Sequence, residues 1–86
     1  MMDFSKVPNA NLTEGLRLYF EHHRPTGGFL TAVLENDLRA ACERADMTNR
    51  RMLFDIVSWL YNEAPAQAWG SKERVERWLA GPEVPS

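Results

Sequence analysis

Residues 48–63, TNRRMLFDIVSWLYNE, constrain the fold more than any other stretch of this chain. At about 100° per residue, Leu53, Ile56, Val57, Leu60, Tyr61 and Ala64 fall on one stripe. Met52 and Trp59 widen that stripe on one side and Phe54 on the other, leaving only Arg51, Asp55, Ser58 and Asn62 as a consistent polar strip. An apolar arc covering well over half the circumference marks either the central helix of a fold or a face that meets another copy. The chain has 86 residues, enough for one domain with a small core.

Punctuation divides the rest into helical segments. Asn11 followed three residues later by Glu14 has the spacing of a capping box, and Leu12, Leu16, Tyr19 and Phe20 then recur at helical spacing, giving a first helix over about 12–23. Gly15 inside it costs about 1 kcal/mol relative to Ala, which suggests close approach of another backbone. Pro25 ends the segment by disfavouring helical geometry at Arg24. A second helix spans about 28–45, with Leu30, Val33, Leu34, Leu38, Ala41 and Ala45 on one face and Glu35, Arg39 and Glu43 opposite. Thr48 is the expected cap of the third helix, 48–63, which closes at Ala64-Pro65. Ser71 caps a short fourth helix, 71–80, whose Val75, Trp78 and Leu79 face inward, and Gly81-Pro82 is its stop signal. The expectation is an all-α, compact bundle of about four helices in a single domain, 1–86, with 1–10 and 82–86 as extended or flexible tails.

Composition narrows the function classes. Hydrophobic content of 44% and charged content of 26% leave no segment polar enough for intrinsic disorder. A formal charge of −2 argues against a module held to nucleic acid by counterion release. A helix-turn-helix reading of the second and third helices fails too, because the turn lacks glycine and the recognition helix is too apolar. Apolar runs are too short to span a membrane, and the first residues lack the apolar core of a secretory signal. One cysteine, Cys42, forms no internal disulfide and suits a reducing cytoplasm, where it would pack as a small apolar residue. His22 and His23 point about 100° apart on a helix and chelate poorly, so neither a metal nor a cofactor is expected. No nucleophile and base can be assembled, so the chain is read as a non-enzyme.

Three places carry candidate chemistry. In EHHRPTGGFL, Thr26 would cap the second helix and leave Gly27 and Gly28 with bare N–H groups in its first turn, Phe29 following. Missing side chains let an anion approach those donors, and Arg24, with His22 or His23, would add charge-assisted contacts. The Gly-Lys-Ser/Thr of a phosphate-binding loop is absent, and the bland alternative is a corner whose glycines only permit tight turning. Asp37 falls inside the apolar stripe of the second helix, where a carboxylate needs a partner: a cap, an internal ion pair or a ligand donor. The segment YNEAPAQAWGS brings Tyr61, Trp69 and Ser71 around a proline-stopped corner, either to stack and bind a purine-like base or to pin a loop to the core. Arg50 and Arg51 stand in the first turn of the third helix, where Asp46 or Glu43 would offset their charge.

The pattern RPTGGFLTAVLENDL, then AD and N, then VSWLYNEAPAQAWGS with V and WLA, resembles a group of small proteins encoded by tailed bacteriophages. The resemblance covers about residues 18–80. The corner in that group often reads Pro-Pro-Gly-Gly-Phe-Leu, and this chain has Thr26 in place of the second proline. The resemblance transfers no catalytic residues. It implies a phage accessory protein acting in the cytoplasm of a bacterial host, and by analogy of class an antagonist of host defence. Two readings follow, beside a third in which the chain is a purely structural or regulatory phage component and the corner is only a corner. In the first, a homo-oligomer sequesters a small anionic, nucleotide-derived immune signal through Arg24, Thr26, Gly27 and Gly28, with Tyr61 or Trp69 stacking its base and Asp37 accepting from it. In the second, an aromatic surface blocks a host defence protein complex without any small ligand.

Overall fold

A computed structural model describes residues 2–81 of the chain, and its radius of gyration of 12.4 Å is that of a compact chain of this length, about 12 Å. The described residues form five α-helices, α1 Thr13–His22, α2 Gly28–Leu34, α3 Leu38–Arg44, α4 Met47–Glu63 and α5 Lys72–Leu79, with three short 3-10 turns and no strand among them. The all-α expectation holds. The stop at Pro82 and the tail 82–86 lie outside the described residues.

The span 28–45 is two helices rather than one. Asn36 adopts the left-handed conformation, φ 62°, and the N–H groups of Asn36 and Asp37 turn back to the carbonyls of Val33 and Ala32 at 3.1 and 2.8 Å. This double closure is how a helix ends on a left-handed residue, a conformation that asparagine tolerates better than other non-glycine residues. Asp37 then opens α3, its carboxylate accepting from the Ala40 N–H at 3.1 Å. The chain therefore folds back, and α2 and α3 form the most extensive helix–helix contact of the molecule.

Other starts differ as well. Asp46, not Thr48, caps α4, accepting from the Asn49 N–H at 2.7 Å. The same carboxylate stands at the basic first turn, where Arg50 bends back to donate from Nε to the Cys42 carbonyl. At α1 the box of Asn11 and Glu14 does not form. Asn9 accepts from the Asn11 N–H to open a 3-10 turn, Ala10–Leu12, that runs into α1, while Glu14 pairs with Arg17. Gly15 faces the Leu30 side chain at an ordinary contact distance of 3.7 Å for an added Cβ, so no backbone approach requires it. Ser71 caps α5 as expected, accepting from the Arg74 N–H at 3.1 Å.

Leu16, Tyr19, Leu34, Ile56 and Leu60 form the fully buried centre. The Tyr19 hydroxyl donates to the Ala68 carbonyl at 2.6 Å, and the Trp78 indole N–H donates to the Tyr19 carbonyl at 2.7 Å. Two side-chain-to-backbone bonds thus fasten α1 to the 66–68 turn and to α5. Residues 3–9 are no tail. The Trp59 indole N–H donates to the Asp3 carbonyl, Phe4 packs on the Trp59 ring at 5.8 Å, and Val7 is buried. The buried Asn9 amide donates to Asn49 Oδ1 at 2.8 Å. Burying these groups against α4 more than offsets the ordering of a few residues, which an extended tail would avoid.

Candidate functional site

The corner between α1 and α2 is built from both ends. His23 closes α1 in the left-handed conformation, φ 56°, and the Arg24 N–H reaches the Leu18 carbonyl at 3.2 Å. The His23 ring lies on Trp78, centroids 4.4 Å apart, with Nδ1 2.7 Å from the Trp78 carbonyl oxygen. This histidine is a latch between α1 and α5, so it is not free to meet an anion at the corner. Exposed His22 has no such contact.

Thr26 does not cap α2. Its hydroxyl meets the Thr31 hydroxyl at 3.0 Å, and the N-cap position falls on Gly27, which offers no side chain. The N–H groups of Gly28, Phe29 and Leu30 therefore begin the helix without an intrahelical or side-chain partner. Phe29 turns its ring toward the core. Gly27 has φ −69° and ψ 175°, an ordinary extended conformation, and a Cβ there would meet nothing. Neither backbone geometry nor packing requires a glycine at this position. A Cβ on Gly28 would sit 3.4 Å from Arg44 Cδ.

Arg44 is the residue that sequence reasoning missed. Its Nη1 donates to the Gly28 carbonyl at 3.2 Å, which holds a guanidinium against the glycine corner. In an unbroken helix over 28–45 these residues would stand about 24 Å apart along the axis; the reversal at Asn36–Asp37 brings them together. Among the described residues neither Arg24 nor Arg44 is in an ion pair, and Arg44 sets an uncompensated cation against a stretch with no side chains, with exposed Arg24 three residues before Gly27 in the chain. Because α2 has only seven residues, its dipole is weak, and the Arg44 guanidinium supplies most of the favourable field for an anion there.

The other candidates are placed elsewhere. Asp37 is exposed rather than inside an apolar stripe; the break in the helix turns it outward and gives it capping work. Trp69 packs half-buried against the core, and the following Gly70 adopts φ 110° and donates its N–H to the Leu34 carbonyl at 2.7 Å. Trp69 therefore lies by the C-terminal end of α2, with Gly27 and Gly28 at the other end. The Ser71 hydroxyl accepts at the start of α5. Tyr61 is 80% exposed on the outer side of α4, about 21 Å along the axis from Met47, the end of α4 next to Arg44. Within one protomer these side chains do not converge.

Two concave features lie among the described residues. Between the α2–α3 reversal and α4, Val33, Asn36, Leu38, Ala41, Leu53 and Val57 border a cleft of about 30 Å³, room for about one water. A depression of about 470 Å³ beside Cys42, Glu43, Arg50 and Leu53 is open to solvent, and Cys42 is exposed there rather than packed. Among the described residues no buried side-chain nitrogen or oxygen lacks a partner, no three His, Cys, Asp or Glu groups are placed to hold a metal, and no helix is long and apolar enough to cross a membrane. No protein-family model matches the chain, and no curated protein or solved structure matches it either.

Proposed function

We propose that this is a non-enzymatic, phage-type binding protein that works in a bacterial host against a defence system, holding a small anionic, nucleotide-derived signal in a homo-oligomer. The observation that carries the reading is the glycine corner: Gly27 is a glycine the fold does not need, near Arg24 in sequence and beside an Arg44 whose guanidinium has no carboxylate partner among the described residues. A phosphate at that corner would accept from the N–H groups of Gly28 and Phe29 while the guanidinium groups offset its charge. With no side chain at 27 or 28, phosphate oxygens can come within hydrogen-bonding distance of the backbone. Stacking of a base falls to Tyr61 of a second copy, because Tyr61 of the same chain is too far along α4. The phage and defence setting rests on the resemblance alone.

The test is native mass spectrometry of the purified protein, followed by calorimetry with a panel of cyclic dinucleotides and ADP-ribose derivatives. Binding is expected to weaken with added salt and to fall by about tenfold or more in Arg44→Ala, one charge-assisted contact, with the melting temperature little changed. A flat response to the whole panel and no retained small molecule would refute the reading. The second reading, an inhibitor that blocks a host defence complex, is favoured by one observation, the exposed aromatic face of α4. A host protein recovered in equal amount from lysate, with no nucleotide, would select it.

A further inference from the structure

The central helix is apolar on two sides, and only one is covered. Ile56, Trp59 and Leu60 are buried against the rest of the fold, while Phe54 and Tyr61 are each 80% exposed and Met47 66%. At about 100° per residue, Met47 and Tyr61 lie within about 20° of Phe54, directly opposite the core. The spacing of seven residues is that of a coiled-coil seam, and Val57 occupies the intervening position. Arg50, which would fall on the seam one turn earlier, bends its guanidinium back to the Cys42 carbonyl and leaves only its aliphatic stem there.

We propose that this face pairs with the same face of a second copy, the two α4 helices antiparallel about a two-fold axis beside Phe54. Three features single out a second copy. Met47 and Tyr61 are equally spaced about Phe54, so the two-fold sets Phe54 against its own counterpart and Met47 against the partner's Tyr61. Such self-complementarity is what an isologous interface needs. Charges match as well. Arg51 and Asp55 lie on the same side of the seam, and the two-fold brings like sides together, placing each Arg51 about 3 Å along the axis from the partner's Asp55, where it offsets the charge of the two Asp55 carboxylates that the two-fold sets about 3 Å apart along the same axis. Neither is in an ion pair within the chain among the described residues. The area is also sufficient: with Leu38 at 65% and Val57 at 36% exposure, the patch offers about 500–600 Å² of apolar surface per copy, and pairing would remove about 1,000 Å² in total, the lower end for a specific interface.

The pairing deepens the function proposed above and depends on that reading only for its purpose. Met47 is at the end of α4 that follows Arg44, the residue bound to Gly28. The two-fold therefore delivers the partner's Tyr61 to the end of the protomer that carries the glycine corner, and each site is completed by the other copy.

Sedimentation velocity on the ligand-free chain in the tens-of-micromolar range is expected to show twice the 9.9 kDa chain mass. Phe54→Glu is expected to weaken association at least about 100-fold and, at an exposed site, to leave helicity and melting unchanged. In a Cys42→Ser background, Phe54→Cys is expected to cross-link to itself on mild oxidation, and Met47→Cys to cross-link with Tyr61→Cys but not with itself. A monomeric wild type, an unaffected Phe54→Glu dimer, or preferential self-linking of Met47→Cys would each overturn the proposal. A host protein occupying the face of a monomeric chain would overturn it too. Because no nucleotide enters these measurements, a dimer that binds none refutes the proposed ligand and leaves the interface standing.

Discussion

Replacing Tyr19 by Phe removes one oxygen from a ring with no exposed surface, and two measurable consequences follow. The hydroxyl donates to the buried Ala68 carbonyl at 2.6 Å. Phe fills nearly the same volume, so the loss is the hydrogen bond plus the carbonyl left behind, about 1–3 kcal/mol. In a domain of this size each kcal/mol moves the melting temperature by about 4–8 °C, so a drop of about 5–20 °C is expected. Urea melts followed by circular dichroism should show a lower midpoint with unchanged slope, since exposed area on unfolding is the same. The second consequence is in the alkaline limb. Burial first, and the charge of Glu35 second, push the Tyr19 phenol well above its ordinary 10.0. The folded state thus holds this proton more tightly than the unfolded state. Its contribution is fully present below about pH 10 and is lost as pH rises beyond that. Wild type should lose stability above pH 10 more steeply than Tyr19→Phe. A variant within about 0.5 kcal/mol of wild type, with the same alkaline limb, would refute the argument that this hydroxyl is both buried and bonded.

Two further substitutions test the corrections to the sequence reading. Asp37→Ala removes the cap of α3 and should cost about 1 kcal/mol by urea melt, with Asp37→Asn recovering most of it; a far larger loss would mean that the carboxylate is buried and paired. Asn9→Ala strands the Asn49 amide oxygen and should cost about 1–3 kcal/mol. A double-mutant cycle with Asn49→Ala should return a coupling of at least about 0.5 kcal/mol, and a null coupling would mean that residues 3–9 do not dock on α4.

Much of the candidate site could be read locally, because its elements announce themselves through nearest neighbours. Pro25 stops α1, Gly27 and Gly28 open the next helix, and Ser71 caps α5; each effect acts within four residues. The Asn36–Asp37 pair also carried both signals of a helix boundary, a residue that tolerates the left-handed conformation and a strong N-cap. The uninterrupted apolar spacing of Leu30, Val33, Leu34 and Leu38 concealed them, since periodicity continues across the break even though Leu38 turns out to be 65% exposed and only Ala41 of α3 is buried.

The sequence by itself determined that the chain is helical and that about residues 48–63 form a helix apolar around most of its circumference, because intrinsic preference and 3.6-residue periodicity are local properties. Only the tertiary structure decided which part of that arc the core covers, since exposure depends on what else packs there. It alone also carried Arg44 back to Gly28, because one left-handed residue reverses a helix and exchanges about 24 Å of axial separation for a 3.2 Å hydrogen bond.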